Sequence, residues 1–520
     1  MSARRDRSRR SIGAVASALG ALAWVITPTA AAQDQPPVAT EAEASVALEA
    51  AEAVLDPAPA AEPGREATLA LQQLAAALPA LQGTERRRAH GILARPTEGQ
   101  GDRFGDGFPP GAPVASATST HFCVTWVNGA GFEDSPDLTD LNGVTDGDGV
   151  PDYIETMLSI AEQSYAVEVA PGPLGWRPPK PDKDGCGPDP SVTADIYLKQ
   201  LGSQGLFGYE TPDPGQGRSR RQYGYMVLDN DYSQEEYGYP DPTIPAKVTV
   251  AHEFNHLLQQ NYDSFQDRWM FESTATWAEE QVYPEINDYV NYVPSFAKNP
   301  GQPITDETAG KQLKIYGSAV WNHWLATGGG GYGVGVIPAS WDASAVARPR
   351  DFAVSAYDRG IRDAGGRGFS REMVRFATAT SEWQSGFGGF PDAALYPEMK
   401  RAGELTSGRR QRFSLDHTSY RLFEVSPGPD AFELELDAER GVRSGIALVA
   451  LFGDPLTGTV AAKSEYLGKG GKGSVRLEGV AGATRITALA INADGRSRGY
   501  RGGDWVYAKD NARFRASLKR

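Results

Sequence analysis

Cysteine is nearly absent from this chain: Cys123 and Cys186 are the only two in 520 residues. Neither belongs to a CxxC pair, which excludes dithiol redox chemistry. Together they predict one disulfide, closing a loop of about 60 residues and worth about 3–4 kcal/mol in the chain-entropy treatment. Basic charge is also short, with 51 Lys and Arg against 66 Asp and Glu and a net charge of −15. A surface of that sign repels phosphate backbones and excludes nucleic acid as a partner, while metal cations suit it. Beyond the amino terminus no run is apolar enough to span a bilayer. Histidine is scarce, at six in all, so two of them four residues apart are unexpected by chance.

What is present begins with Arg4, Arg5, Arg7, Arg9 and Arg10, followed by an apolar run ending in Ala30-Ala31-Ala32. That pattern predicts a signal peptide over residues 1–32 and a secreted or periplasmic protein. Gly13, Gly20 and Pro28 interrupt the run and argue against a membrane anchor. Losing it would take the net charge to about −19. Residues 33–115 read as a pro-segment or linker containing one helix. Up to about residue 64 the composition is Ala-, Pro- and Glu-rich, linker-like or weakly helical. Leu69, Leu71, Leu74, Leu78 and Leu81 then recur at near-helical spacing. No cysteine precedes Cys123, so a cysteine-switch latch is excluded.

Residues 116–405 place strands ("THFCVTWV", "ADIYL", "QYGYMVLDND") before helices, the pattern of an α+β domain. Residues 411–520 carry short strands broken by Gly, Pro and Asp, which predict a small all-β sandwich with a structural role rather than carbohydrate contact. A monomer is expected.

The chemistry centres on His252-Glu253-Phe254-Asn255-His256. Positions i and i+4 share one face of a helix, so the two imidazoles can hold one zinc ion. Zinc lowers the pKa of a water toward about 7, and Glu253, one step round, can take its proton. A metzincin continuation needs Gly at 259 and His at 262; Gln259 and Tyr262 exclude it.

Downstream, Trp269 to Glu279 reads W-x-x-E-x-x-A-x-x-x-E. This resembles the second zinc helix of gluzincin peptidases, especially their aminopeptidase-like branch, firmly over about residues 248–280. A looser similarity links the chain to secreted bacterial gluzincins that combine HEFxH with E-x-T-A-x-W-x-E and end in a β-sandwich. The resemblance implies Glu272 as third zinc ligand, a thermolysin-like catalytic fold and hydrolysis of peptide bonds. It implies Tyr316, in "LKIYGSAVWNHWL", as oxyanion donor, with His323 in reserve. Thr276 stands where thermolysin-like enzymes place an aspartate and could hydrogen-bond a ligand imidazole; Glu279 either supports a ligand or faces water. "RQYGYMVLDND" is expected to be the sheet edge that holds the substrate backbone. Gly224-Tyr225-Met226-Val227-Leu228 replaces the G-x-M-E-N of the aminopeptidase branch, and the missing glutamate favours endopeptidase action.

A second metal loop is expected in "VTDGDGVPDYIE". With Gly149 at position 6 of an EF-hand, Asp146, Asp148, Asp152 and Glu155 fall on ligand positions for calcium. Val144 at position 1 leaves that loop incomplete, with Asp140 or Asn142 as substitutes. The expected function is thus a secreted zinc metalloendopeptidase acting on peptide or protein substrates with Glu253 as general base. The alternative is an exported binding or adhesion protein on an inactive peptidase scaffold.

Overall fold

The structure, a computed structural model, describes residues 38–55, 67–98, 107–138, 149–183, 185–187, 189, 191–308, 313–501 and 504–520. The expected signal peptide lies outside them, as do Asp146, Asp148, Asp140 and Asn142 of the expected calcium loop. Of that loop, Asp152 and Glu155 are described, in the first turn of a helix.

Five strands form the central sheet: β1 (Val114–Thr118), β2 (Phe122–Val127), β3 (Ala194–Lys199), β4 (Gly208–Pro212) and β5 (Gly224–Asp229). Their order is β1-β2-β3-β5-β4. The inner strands β2, β3 and β5 run parallel, and β1 and β4 pair antiparallel at the two edges. Every residue of β2, β3 and β5 is buried, as parallel strands covered on both faces require. The disulfide forms, joining Cys123 on β2 to Cys186 with 5.9 Å between their Cα atoms.

Residues 221–231 are therefore not the edge. β5 lies inside the sheet, and β4 takes the outer position. The strand at that edge is "GYETP", short and ended by a proline. Such a composition suits an edge, where an N–H can be spared, but gives a weak strand pattern in sequence.

Helices α1 (Glu41–Leu55), α2 (Thr68–Ala77) and α3 (Gly83–Ile92) cover one face of the sheet. Leu48, Leu55, Leu71, Leu74 and Leu78 pack there with Val127, Tyr197, Tyr209, Tyr225 and Val227. The described part of the linker-like or weakly helical stretch forms α1, and the Leu-spaced stretch expected to be one helix forms α2 and α3. On α1, Ala44, Ala47, Leu48 and Ala51 bury one stripe, and such small residues permit close approach despite weak overall hydrophobicity.

The opposite face carries α4 (Asp152–Glu168) and, after the short α5 (Gln234–Tyr237), the long α6 (Thr243–Asp263). Val124, Trp126, Ile196, Met226 and Leu228 meet Ile154, Met157, Val250 and Phe254 in that core. Next come α7 (Arg268–Val282), α8 (Val293–Ala297), α9 (Lys314–Gly317), α10 (Ala319–Ala326), α11 (Val336–Ser344), α12 (Ala353–Asp363) and α13 (Phe369–Thr380). The domain is α+β. Among the described residues no helix is long and apolar enough to cross a membrane.

The carboxyl-terminal strands β6 (Arg410–Leu415), β7 (Ser419–Val425), β8 (Ala431–Ala438), β9 (Ser444–Phe452), β10 (Thr459–Gly468), β11 (Lys472–Glu478), β12 (Arg485–Asn492), β13 (Ser497–Arg501), β14 (Asp504–Tyr507) and β15 (Ala512–Lys519) follow. They build two four-stranded sheets, β10-β9-β12-β7 and β11-β8-β15-β6, with β13-β14 as a separate ribbon. The first sheet packs on α13. Gly445 approaches Val374 so closely that a Cβ would meet its Cγ2 at 2.2 Å. Tyr420, Leu422, Ala447, Val449 and Leu489 belong to the same core as the helices. This sandwich face is buried against the helical domain.

Candidate metal centre

α6 is buried along nearly its whole length, because one side meets the sheet and the other meets α7. His252 and His256 lie one turn apart on it, and α7 brings Glu272 opposite them. His252 Nε2 stands 3.0 Å from His256 Nε2 and 3.3 Å from Glu272 Oε2. His256 Nε2 stands 3.6 Å from the same oxygen. All three side chains are buried, and their donor atoms lie within 4.8 Å of one another.

Outward contacts hold these atoms in place. His252 Nδ1 meets Glu279 Oε1 at 2.6 Å, and His256 Nδ1 meets Gln259 Oε1 at 2.9 Å. Each ring thereby donates through Nδ1 and presents Nε2 to the centre, as metal-bound histidines do. Gln259 is itself fixed: its Nε2 donates to Asn255 Oδ1, Phe271 O and Thr274 Oγ1. Asn255 in turn donates to Glu168 Oε2 at 2.7 Å. Burial pushes the Glu168 carboxyl up to about 8, partly offset by Asn255.

Thr276 does not do what its position suggested. It is fully buried, but its hydroxyl has no hydrogen-bond partner among the described residues. Glu279, three residues on, reaches His252 instead. Gln259 and Glu168 escaped the sequence reading altogether. Gln259 had a signal, since it lies three residues after His256 and so one turn along the same helix face. Glu168 is remote in sequence and had none.

The donor set fits a metal. Ligands about 2.0–2.1 Å from one tetrahedral ion are about 3.3 Å apart, and the observed separations of 3.0, 3.3 and 3.6 Å bracket that value. Two imidazole nitrogens and a carboxylate oxygen turned toward one another are mutually satisfied by a cation. Burial opposes charging His256, yet the Glu272 carboxylate outweighs it and raises the imidazole to about 9. Losing the anchor of His252 should weaken metal binding. Glu279→Gln is expected to lower zinc affinity about 10–100-fold, read by competition with a chromogenic chelator.

Glu253 follows His252 on α6 and faces a cavity of about 30 Å³ lined by His252, Thr249, Tyr239, Tyr292 and Tyr316, among others. That volume is large enough for water. Glu253 Oε2 accepts a hydrogen bond from Thr68 Oγ1 at 2.9 Å. Tyr316, on α9, lies with its ring 6.2 Å from that of His252 and nearly parallel to it. His323 is elsewhere: it is buried on α10 with its ring 4.6 Å from that of Tyr289, and burial lowers it to about 3. It does not line the cavity, which removes it as an oxyanion donor.

No family model matches the chain, and no curated protein matches it. Among solved structures, one described as "Family 16 Carbohydrate Binding Module-2" is 12% identical with a TM-score of 0.14. That likeness covers 21% of this chain and 76% of the other. Similarity so low carries no argument about this chain.

Proposed function

We propose that this chain is an exported, zinc-dependent metalloendopeptidase with a thermolysin-like catalytic domain. The observation that carries the reading is the convergence of His252, His256 and Glu272 at 3.0–3.6 Å with Glu253 beside them on the cavity wall. His252, His256 and Glu272 would hold the ion through two nitrogens and one oxygen. A zinc ion there supplies Lewis acidity, acidifying a water and polarising a peptide carbonyl. Glu253 takes a proton from the attacking water and delivers it to the leaving amine. Tyr316, on the same cavity, donates its phenolic O–H to the oxygen on which negative charge develops. Glu279 and Gln259 hold the imidazoles in the orientation this requires.

Metal analysis tests the reading. The purified protein is expected to carry one zinc per chain and to lose peptide hydrolysis on chelation, regaining it on readdition of zinc. A chain that binds no zinc at any concentration refutes it.

A further inference from the structure

The side chain assigned as general base is only 1% exposed. A peptide cannot reach it until something moves, and one group that caps its carboxylate is the first residue of α2. Thr68 Oγ1 donates to Glu253 Oε2 and, through its lone pair, accepts from the backbone N–H of Glu210, also at 2.9 Å. Glu210 lies on β4, the edge strand. That N–H points away from the sheet, where an incoming extended peptide would pair. One hydroxyl therefore occupies two positions a substrate needs: the base and the strand edge. Gln72, one turn along α2, reinforces the contact by donating to Glu210 Oε2 at 3.3 Å.

The helical layer keeps α2 in place. Leu71 and Leu74 are fully buried against the sheet. Beyond α3, the Tyr225 hydroxyl donates to the carbonyls of Leu93 and Ala94. The geometry points to α2 as an intramolecular cover that competes with the substrate. Catalysis then requires the Thr68 end of α2 to withdraw from β4 and Glu253. This inference rests on the peptidase reading and goes beyond it, since a peptidase needs no such cover.

The test uses the full zinc-loaded chain and a peptide hydroxamate, a metal-directed substrate mimic whose binding needs no turnover. Thr68→Val removes the hydroxyl and keeps the shape; Thr68→Ser keeps the hydroxyl. Thr68→Val is expected to bind the hydroxamate about tenfold more tightly and to cleave a fluorogenic peptide with kcat/KM raised by a similar factor, as loss of one charge-assisted hydrogen bond predicts. Thr68→Ser should match wild type. In the wild-type chain, hydroxamate binding should speed amide exchange across residues 68–77. Unchanged or weaker hydroxamate binding by a folded Thr68→Val, with zinc in place, overturns the cover and leaves the peptidase reading intact. So does wild-type binding without any change in α2 exchange. Absence of both zinc and hydroxamate binding defeats the peptidase reading and this inference with it.

Discussion

Glu253→Gln is expected to cut casein hydrolysis by about 10²–10⁴-fold while zinc content stays at the wild-type level. The substitution keeps the size of the side chain and its capacity to accept from Thr68, but removes the basic oxygen. His252, His256 and Glu272 are untouched, so the metal should remain. Zinc analysis and a casein assay on the same preparation check both halves. Loss of zinc together with activity would recast Glu253 as a supporter of the metal centre. Undiminished activity would remove it as the base. Casein left intact by the wild-type chain under many conditions would favour the binding-protein alternative.

Arg95→Leu is expected to destabilise the fold by about 3–5 kcal/mol, the usual cost of stripping the partner from buried charges. Arg95 is 2% exposed. Its Nε and Nη2 donate to the two oxygens of Asp213 at 3.0 and 2.7 Å, and its remaining donors reach Asp182, Asp195 and the Tyr197 hydroxyl. Three carboxylates thus rely on one guanidinium. Burial already raises Asp213 to about 6 against the pull of Arg95. The folded state keeps a proton that the unfolded chain releases above about pH 4, so this group costs stability as pH rises through about 6. Without Arg95 the Asp213 and Asp195 carboxyls rise further, and the deficit of the variant should be larger at about pH 8 than at about pH 5. Urea unfolding at the two pH values measures it. An equal or smaller deficit at the higher pH would contradict this account of the cluster.

The parts of the centre legible in sequence are those set by local geometry. His252 and His256 share a face because an α-helix repeats every 3.6 residues, whereas Glu272 was singled out by the resemblance of Trp269–Glu279 to a known zinc helix. The inner strands β2, β3 and β5 were legible as short strand patterns, β2 as an alternating one, but not as strands buried on both faces. The sandwich was legible in its short strands and regular turns. The misreadings have a different origin. β4 was missed, and β5 taken for the edge, because strand order depends on which chain segments pair and not on the strength of either pattern. Thr276 and Glu279 are both placed to reach the metal helix, and only the relative rotation of α6 and α7 chose Glu279.

By itself, then, the sequence determined two imidazoles and a following glutamate on one helix, a single disulfide pair and the α+β character of the chain. Each follows from composition or from contacts within a few turns. Tertiary structure alone decided that Arg95 meets Asp213 across 118 residues and that Thr68 meets Glu253 across 185. Such partners are chosen by how whole layers stack on a sheet, and stacking depends on many apolar contacts at once, none of which marks the two residues that end up touching.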